Sequence, residues 1–202
     1  MELFIAGTAG PLEVRYSEAG AATGVTAVLC HPHPQFGGTM NDRVLDALES
    51  ALLSSGISSL RFNFRGVGGS AGRYGDGVGE IDDVVAATNW VRERSVGERI
   101  ILVGYSFGGA VALSAQNILA PECMILVAPA LGFFGQEHPP TLPSLVILAE
   151  NDQFVNTDSA KDWFVDGNTW VEQIPDTDHF FVRRHDQITK IVREFLITTF
   201  AD

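Results

Sequence analysis

Lysine is all but missing from this chain. Lys161 and Lys190 are the only two, and with arginine they make 13 cations against 25 carboxylates, a net charge of −12 over 202 residues. A surface that negative repels phosphate backbones and anionic headgroups, which argues against nucleic acid or an anionic membrane as partner. Cysteine is equally scarce. Cys30 and Cys123 lie inside the apolar runs Val25 to Cys30 and Cys123 to Val127, away from any second thiol or metal-ligand pattern, and read as small core hydrophobes. No apolar stretch approaches the roughly 20 residues of a membrane span, and no basic segment followed by an apolar core opens the chain. A cytoplasmic protein is expected.

Internal repeats, low-complexity tracts and Pro/Ser-rich linkers are absent too. With 46% hydrophobic and 19% charged residues, residues 1–202 are expected to bury one core as a single domain. Short apolar runs alternate with amphipathic stretches. Val25 to Cys30, Ser58 to Phe64, Arg99 to Val103, Cys123 to Val127, Leu145 to Ala149 and Thr169 to Ile174 read as strands. Asn41 to Ser54, Glu80 to Arg94, Phe107 to Leu119, Asp158 to Val165 and Gln187 to Thr199 carry helical spacing. This alternation predicts an α/β fold: a mainly parallel central sheet with helices on both faces. Leu3 to Ala6 and Leu12 to Tyr16, around Gly10-Pro11, read as a hairpin that adds an antiparallel edge.

One junction carries chemistry. Gly104-Tyr105-Ser106-Phe107-Gly108 joins an apolar strand to a helix, the strand–turn–helix context in which G-x-S-x-G becomes a nucleophile elbow. The turn strains its serine, so the flanking positions must lack side chains. The helix that follows points amides and a positive dipole end at the place where an oxyanion would form, with the Phe107 N–H as first donor. A serine needs a base and an orienting acid, and in this class they follow it as acid, then histidine. His179, in the polar turn after the strand ending at Ile174, is the expected base; His138 sits in a Pro-rich loop and His185 beside two arginines near a helix start. Asp152, at the exit of the strand Leu145 to Ala149, is the expected acid, with Glu150, Asp176 and Asp178 as rivals.

A second oxyanion donor belongs in the loop after an earlier strand, here His31-Pro32-His33-Pro34-Gln35-Phe36-Gly37-Gly38. Pro32 and Pro34 have no N–H. His33, Gln35, Phe36 and the glycines remain; His33-Pro34-Gln35-Phe36-Gly37 resembles the His-Gly-x-x-Gly loops of many esterases, a resemblance that implies Gln35 N–H as the donor. His31-x-His33 could seed a zinc site, but no third ligand stands at helical or hairpin spacing, so no metal is expected. The glycine-rich loop Arg65 to Gly72 lacks a nucleotide-binding ending and is read as shaping the mouth of the site, with Arg65 paired to an acid or to a substrate carboxylate.

Taken together, His31 to Asn41, Arg61 to Ser70, Gly79 to Asp83, Gly104 to Gly109, Asp152 and His179 resemble the α/β-hydrolase superfamily, and more narrowly the small lidless serine hydrolases related to dienelactone hydrolase. The resemblance departs at the nucleophile, where dienelactone hydrolase carries a cysteine and this chain has Ser106. It implies an α/β-hydrolase fold without a cap domain and a carboxylesterase acting on small esters with no metal or organic cofactor. Acyl transfer, thioester or peptide cleavage by the same residues, and a non-catalytic binding protein, are the alternatives. Only the stretch Pro129 to Pro143 stands where larger relatives insert a cap, so the site should be open. His33, Phe36, Phe133 and Phe134 are the candidate substrate contacts.

Overall fold

The computed structural model describes residues 2–20, 23–94, 99–132, 138–165 and 168–200. Eight strands form one sheet: β1 (Glu2–Gly7), β2 (Gly10–Ser17), β3 (Val25–Cys30), β4 (Ser58–Phe62), β5 (Arg99–Tyr105), β6 (Cys123–Val127), β7 (Ser144–Ala149) and β8 (Thr169–Ile174). Their spatial order is β1-β2-β4-β3-β5-β6-β7-β8. The β1–β2 and β2–β4 pairings are antiparallel and the others parallel. The helices are α1 (Arg43–Ser54), α2 (Val78–Arg94), α3 (Phe107–Leu119), α4 (Thr157–Phe164) and α5 (His185–Thr199). Among the described residues no helix lies between β6 and β7, so no cap covers the sheet end there.

The inner strands β3 to β7 are buried at every position except Arg99, because both faces of the sheet are covered. Val28, Cys30, Leu102 and Leu126 face one layer with α2, α3 and α4. Ala27, Leu29, Ile101, Val103 and Ile125 face the other, with α1 and α5. Successive strand residues point to opposite faces, so one unbroken run feeds two cores.

Several boundaries differ from the sequence reading by one or two residues, and three of the differences position the site or its edge. The hairpin turns at Thr8-Ala9, while Gly10 and Pro11 already pair with Gly7 and Ala6. α1 starts at Arg43 because the Asp42 carboxylate accepts the Val44 N–H at 2.7 Å and caps it. β4 ends at Phe62, since the Phe64 amide leaves the ladder and donates to Nε2 of His31 at 3.0 Å.

This topology positions the site. From β3 the chain crosses to β4 on one side, then returns past β3 to β5 and continues outward. The connections after β3 and β5 therefore diverge, and a crevice opens between them at the carboxyl ends of the strands. The loop after β3 is fixed from below: Asn63 Oδ1 accepts the Met40 N–H at 2.8 Å, and the buried Arg61 donates to the Met40 carbonyl at 3.1 Å and the Asp46 carboxylate at 2.7 Å.

Candidate active site

Ser106 occupies the turn between β5 and α3 with φ 55° and ψ −118°, a conformation that costs a non-glycine residue about 1–3 kcal/mol. Several backbone bonds hold it there. Its N–H donates to the Val127 carbonyl at 2.9 Å, and its carbonyl accepts from Gly109 at 3.0 Å and Ala130 at 3.1 Å. The approach of chain to chain leaves no room for side chains nearby. A Cβ on Gly104 would stand 2.6 Å from Cα of Gly109, and one on Gly108 would stand 2.5 Å from the carbonyl oxygen of His31.

Three residues from three loops meet here. The Ser106 hydroxyl donates to Nε2 of His179 at 2.9 Å, and Nδ1–H of His179 donates to Oδ2 of Asp152 at 2.7 Å. The second oxygen of Asp152 accepts the N–H groups of Phe154 and Val155 at 2.8 and 2.9 Å. Burial would raise the Asp152 pKa, but the His179 bond and these two amides outweigh it and hold the carboxyl below its ordinary value. A carboxylate so held fixes the imidazole tautomer and stabilises an imidazolium. The rival acids do other things: Glu150 accepts the Asp176 N–H at 2.9 Å, and Asp178 accepts the Phe180 N–H at 3.1 Å.

His179 is braced from a direction the spacing did not reveal. The buried Tyr105 hydroxyl donates to the His179 carbonyl at 2.9 Å, and the two rings lie 5.4 Å apart at 31°. Tyr105 also lines the cavity beside Ser106. Tyr105→Phe removes that bond and keeps the ring, so kcat should fall about 3- to 10-fold with little change in KM, as expected when a positioning bond worth about 1 kcal/mol is lost. A change confined to KM would show that the hydroxyl serves substrate binding instead.

The loop after β3 corrects one expectation. The Gln35 N–H donates to Nδ1 of His33 at 3.2 Å, and Gln35 does not line the cavity. The amides of Phe36, Gly37 and Gly38 also bond within the loop, to the carbonyls of His33, Pro34 and His33. His33 and Phe36 line the cavity. Accepting through Nδ1 makes Nε2 of His33 the donor to the Tyr74 hydroxyl, 3.2 Å away, and its ring lies 4.8 Å from that of Phe107. Phe133 and Phe134 lie outside the described residues. Arg65 is bound by Asp83 at 2.7–3.1 Å, and the loop after it turns toward the hairpin, where the Gly69 N–H donates to Glu13, rather than to the mouth of the site.

His31 engages both ring nitrogens within the chain: Nδ1–H donates to the Pro32 carbonyl at 2.6 Å and Nε2 accepts from Phe64. Burial lowers its pKa from 6.5 to about 4, against a smaller upward pull from the Pro32 carbonyl. The folded state then stays neutral where the unfolded state binds a proton. This contribution is complete above about pH 6.5 and is lost as the pH falls toward 4, about 3 kcal/mol in all. Urea unfolding at pH 7 and pH 4.5 should show a much smaller acid loss for His31→Asn than for the native chain; equal losses would refute the assignment.

The cavity at Ser106 measures about 410 Å3. A larger one, about 530 Å3, surrounds Arg99 and Arg193 at the opposite, amino end of the strands, away from this chemistry. The walls near Ser106 include Phe154 and Phe180, neither anticipated, although each adjoins a residue that was: Phe154 two positions past Asp152, Phe180 next to His179. Phe36, Phe154 and Phe180 are 87%, 69% and 52% exposed, so the mouth is open to water.

Residues 27–196 match the model of the alpha/beta hydrolase family. An uncharacterized protein of Rickettsia prowazekii is 30% identical over 215 residues, spanning 98% of this chain and 89% of its own length. Two solved structures superpose over most of both chains. An α/β serine hydrolase without lid from Xanthomonas campestris has a TM-score of 0.92 and 35% identity, covering 98% of this chain and 94% of that one. An α/β serine hydrolase homologue from Coxiella burnetii has a TM-score of 0.91 and 33% identity, covering 97% of each.

Proposed function

This chain belongs to the alpha/beta hydrolase family, and we propose that within it the protein is a serine esterase acting on small carboxylic esters. The observation that carries the reading is the unbroken hydrogen-bonded chain from Ser106 through His179 to Asp152 at a strained elbow. Ser106 Oγ attacks the ester carbonyl while Nε2 of His179 takes its proton. As the tetrahedral intermediate collapses, the bond to the alkoxy group breaks and His179 returns the proton to the leaving alcohol. Water, deprotonated by the same nitrogen, then attacks the acyl-enzyme; the acyl–Oγ bond breaks, His179 returns the proton to Ser106 Oγ, and the acid is released.

The oxyanion is received by the Phe107 amide at the positive end of α3. The second amide is assigned to His33 in place of Gln35, because His33 lines the cavity and the Gln35 N–H is turned to the His33 ring. The exposed mouth favours water as acceptor over transfer to a bound second substrate. Fluorophosphonate labelling of Ser106, with turnover of a series of esters, thioesters and amides in the presence of added alcohols, tests the reading. Failure of the native protein to label would reject it, and preferential formation of transesterified product would replace hydrolysis by transfer.

A further inference from the structure

Among the described residues, no lysine or arginine lines the cavity at Ser106 to meet a negatively charged substrate. Its walls are mostly aromatic and aliphatic: Phe36, Phe107, Phe154, Phe180 and Ala130. Apart from two histidines, Asp42 is the only ionisable side chain with a charge at neutral pH among the residues lining it, and no lysine or arginine does so. Arg65, the cation that could have met a substrate carboxylate, is bound by Asp83 and lies outside the cavity. The sequence from Pro129 to Pro143 contains no lysine or arginine and carries Glu137. The chain's net charge of −12 adds a background of the same sign.

Asp42 cannot easily turn away. One of its oxygens caps α1 by accepting the Val44 N–H at 2.7 Å, which fixes the carboxylate beside the cavity. Desolvation raises its pKa, which reports that the group is partly withdrawn from water, where charges act on one another more strongly. Asp46 adds negative charge beside it and His185 offsets part of it, so a second carboxylate brought into the same space meets repulsion with no lysine or arginine among the described lining residues.

We infer that the site selects uncharged esters and rejects carboxylate-bearing ones, with Asp42 as the residue that sets this preference. The inference rests on Ser106 acting as an esterase nucleophile. Because hydrolysis releases an ionised acid, the same repulsion favours departure of that product.

The experiment compares two esters of matched size, para-nitrophenyl methyl adipate and para-nitrophenyl hydrogen adipate, each corrected for its rate with hydroxide. The native protein should prefer the neutral ester in kcat/KM by about tenfold or more at low ionic strength, and added salt should narrow the ratio. Asp42→Asn and Asp42→Ser retain N-cap capacity and should bring the ratio to within about threefold. Using the ratio cancels any general loss of activity in a variant. Equal kcat/KM for the two esters in the native protein, or an unchanged ratio in both variants, overturns the inference while leaving the esterase reading intact. Absence of turnover of either ester, together with absence of fluorophosphonate labelling, rejects the esterase reading and this inference with it.

Discussion

Ser106→Ala should lower ester turnover by roughly ten-thousandfold to a millionfold, and abolish fluorophosphonate labelling, while the protein stays folded. The range follows from removing the attacking atom while leaving oxyanion donors and cavity in place. His179→Ala should cost nearly as much, and the double variant little more, because the two groups act in one proton transfer. The fold should survive: the hydroxyl of Ser106 bonds to His179, and the elbow is held by the Ser106 backbone to Val127, Gly109 and Ala130. Retention of more than about one-hundredth of the native rate would mean that another nucleophile carries the reaction.

Gly108→Ala is expected to be among the most damaging single-methyl changes to stability. The added carbon would lie 2.5 Å from the His31 carbonyl oxygen and closer still to the Cys30 carbonyl, both of them backbone atoms that no rotamer change can move. The start of α3 would have to withdraw from the end of β3, opening the crevice where the two loops meet. Overpacking against backbone costs at least about 3 kcal/mol. A Gly109→Ala control meets its nearest atoms, Cβ and Cα of Pro129, at 3.0 and 3.1 Å, so it demands a smaller displacement and should be milder. Denaturant unfolding of the two variants decides this; equal midpoints would show that the elbow has slack.

Much of this was legible in the chain itself because backbone geometry enforces it. A serine forced to φ 55° needs room on both sides, and Gly104 and Gly108 announce that in one dimension. Asp152 and His179 could be located because each follows an apolar strand, and parallel strands end on the same side. What could not be read depends on where side chains turn. Gln35 was chosen by spacing from its loop, yet its amide closes a turn onto Nδ1 of the neighbouring histidine, a contact that spacing does not encode. Phe154 and Phe180 were overlooked for a different reason: exposed phenylalanines in polar turns give no periodic signal, and only convergence on Ser106 marks them as walls. The hairpin was misplaced by two residues because Gly-Pro is a strong turn signal, whereas here both residues open β2.

The carboxylate of Asp152 serves two masters. With one oxygen it holds His179, and with the other it gathers the amides of Phe154 and Val155, folding the turn that carries Phe154 to the cavity wall. One side chain thereby joins the His179 contact to the shape of the cavity wall, so a change in the turn would reach the histidine as well, whereas Phe36 and Phe180 border the cavity outside that turn.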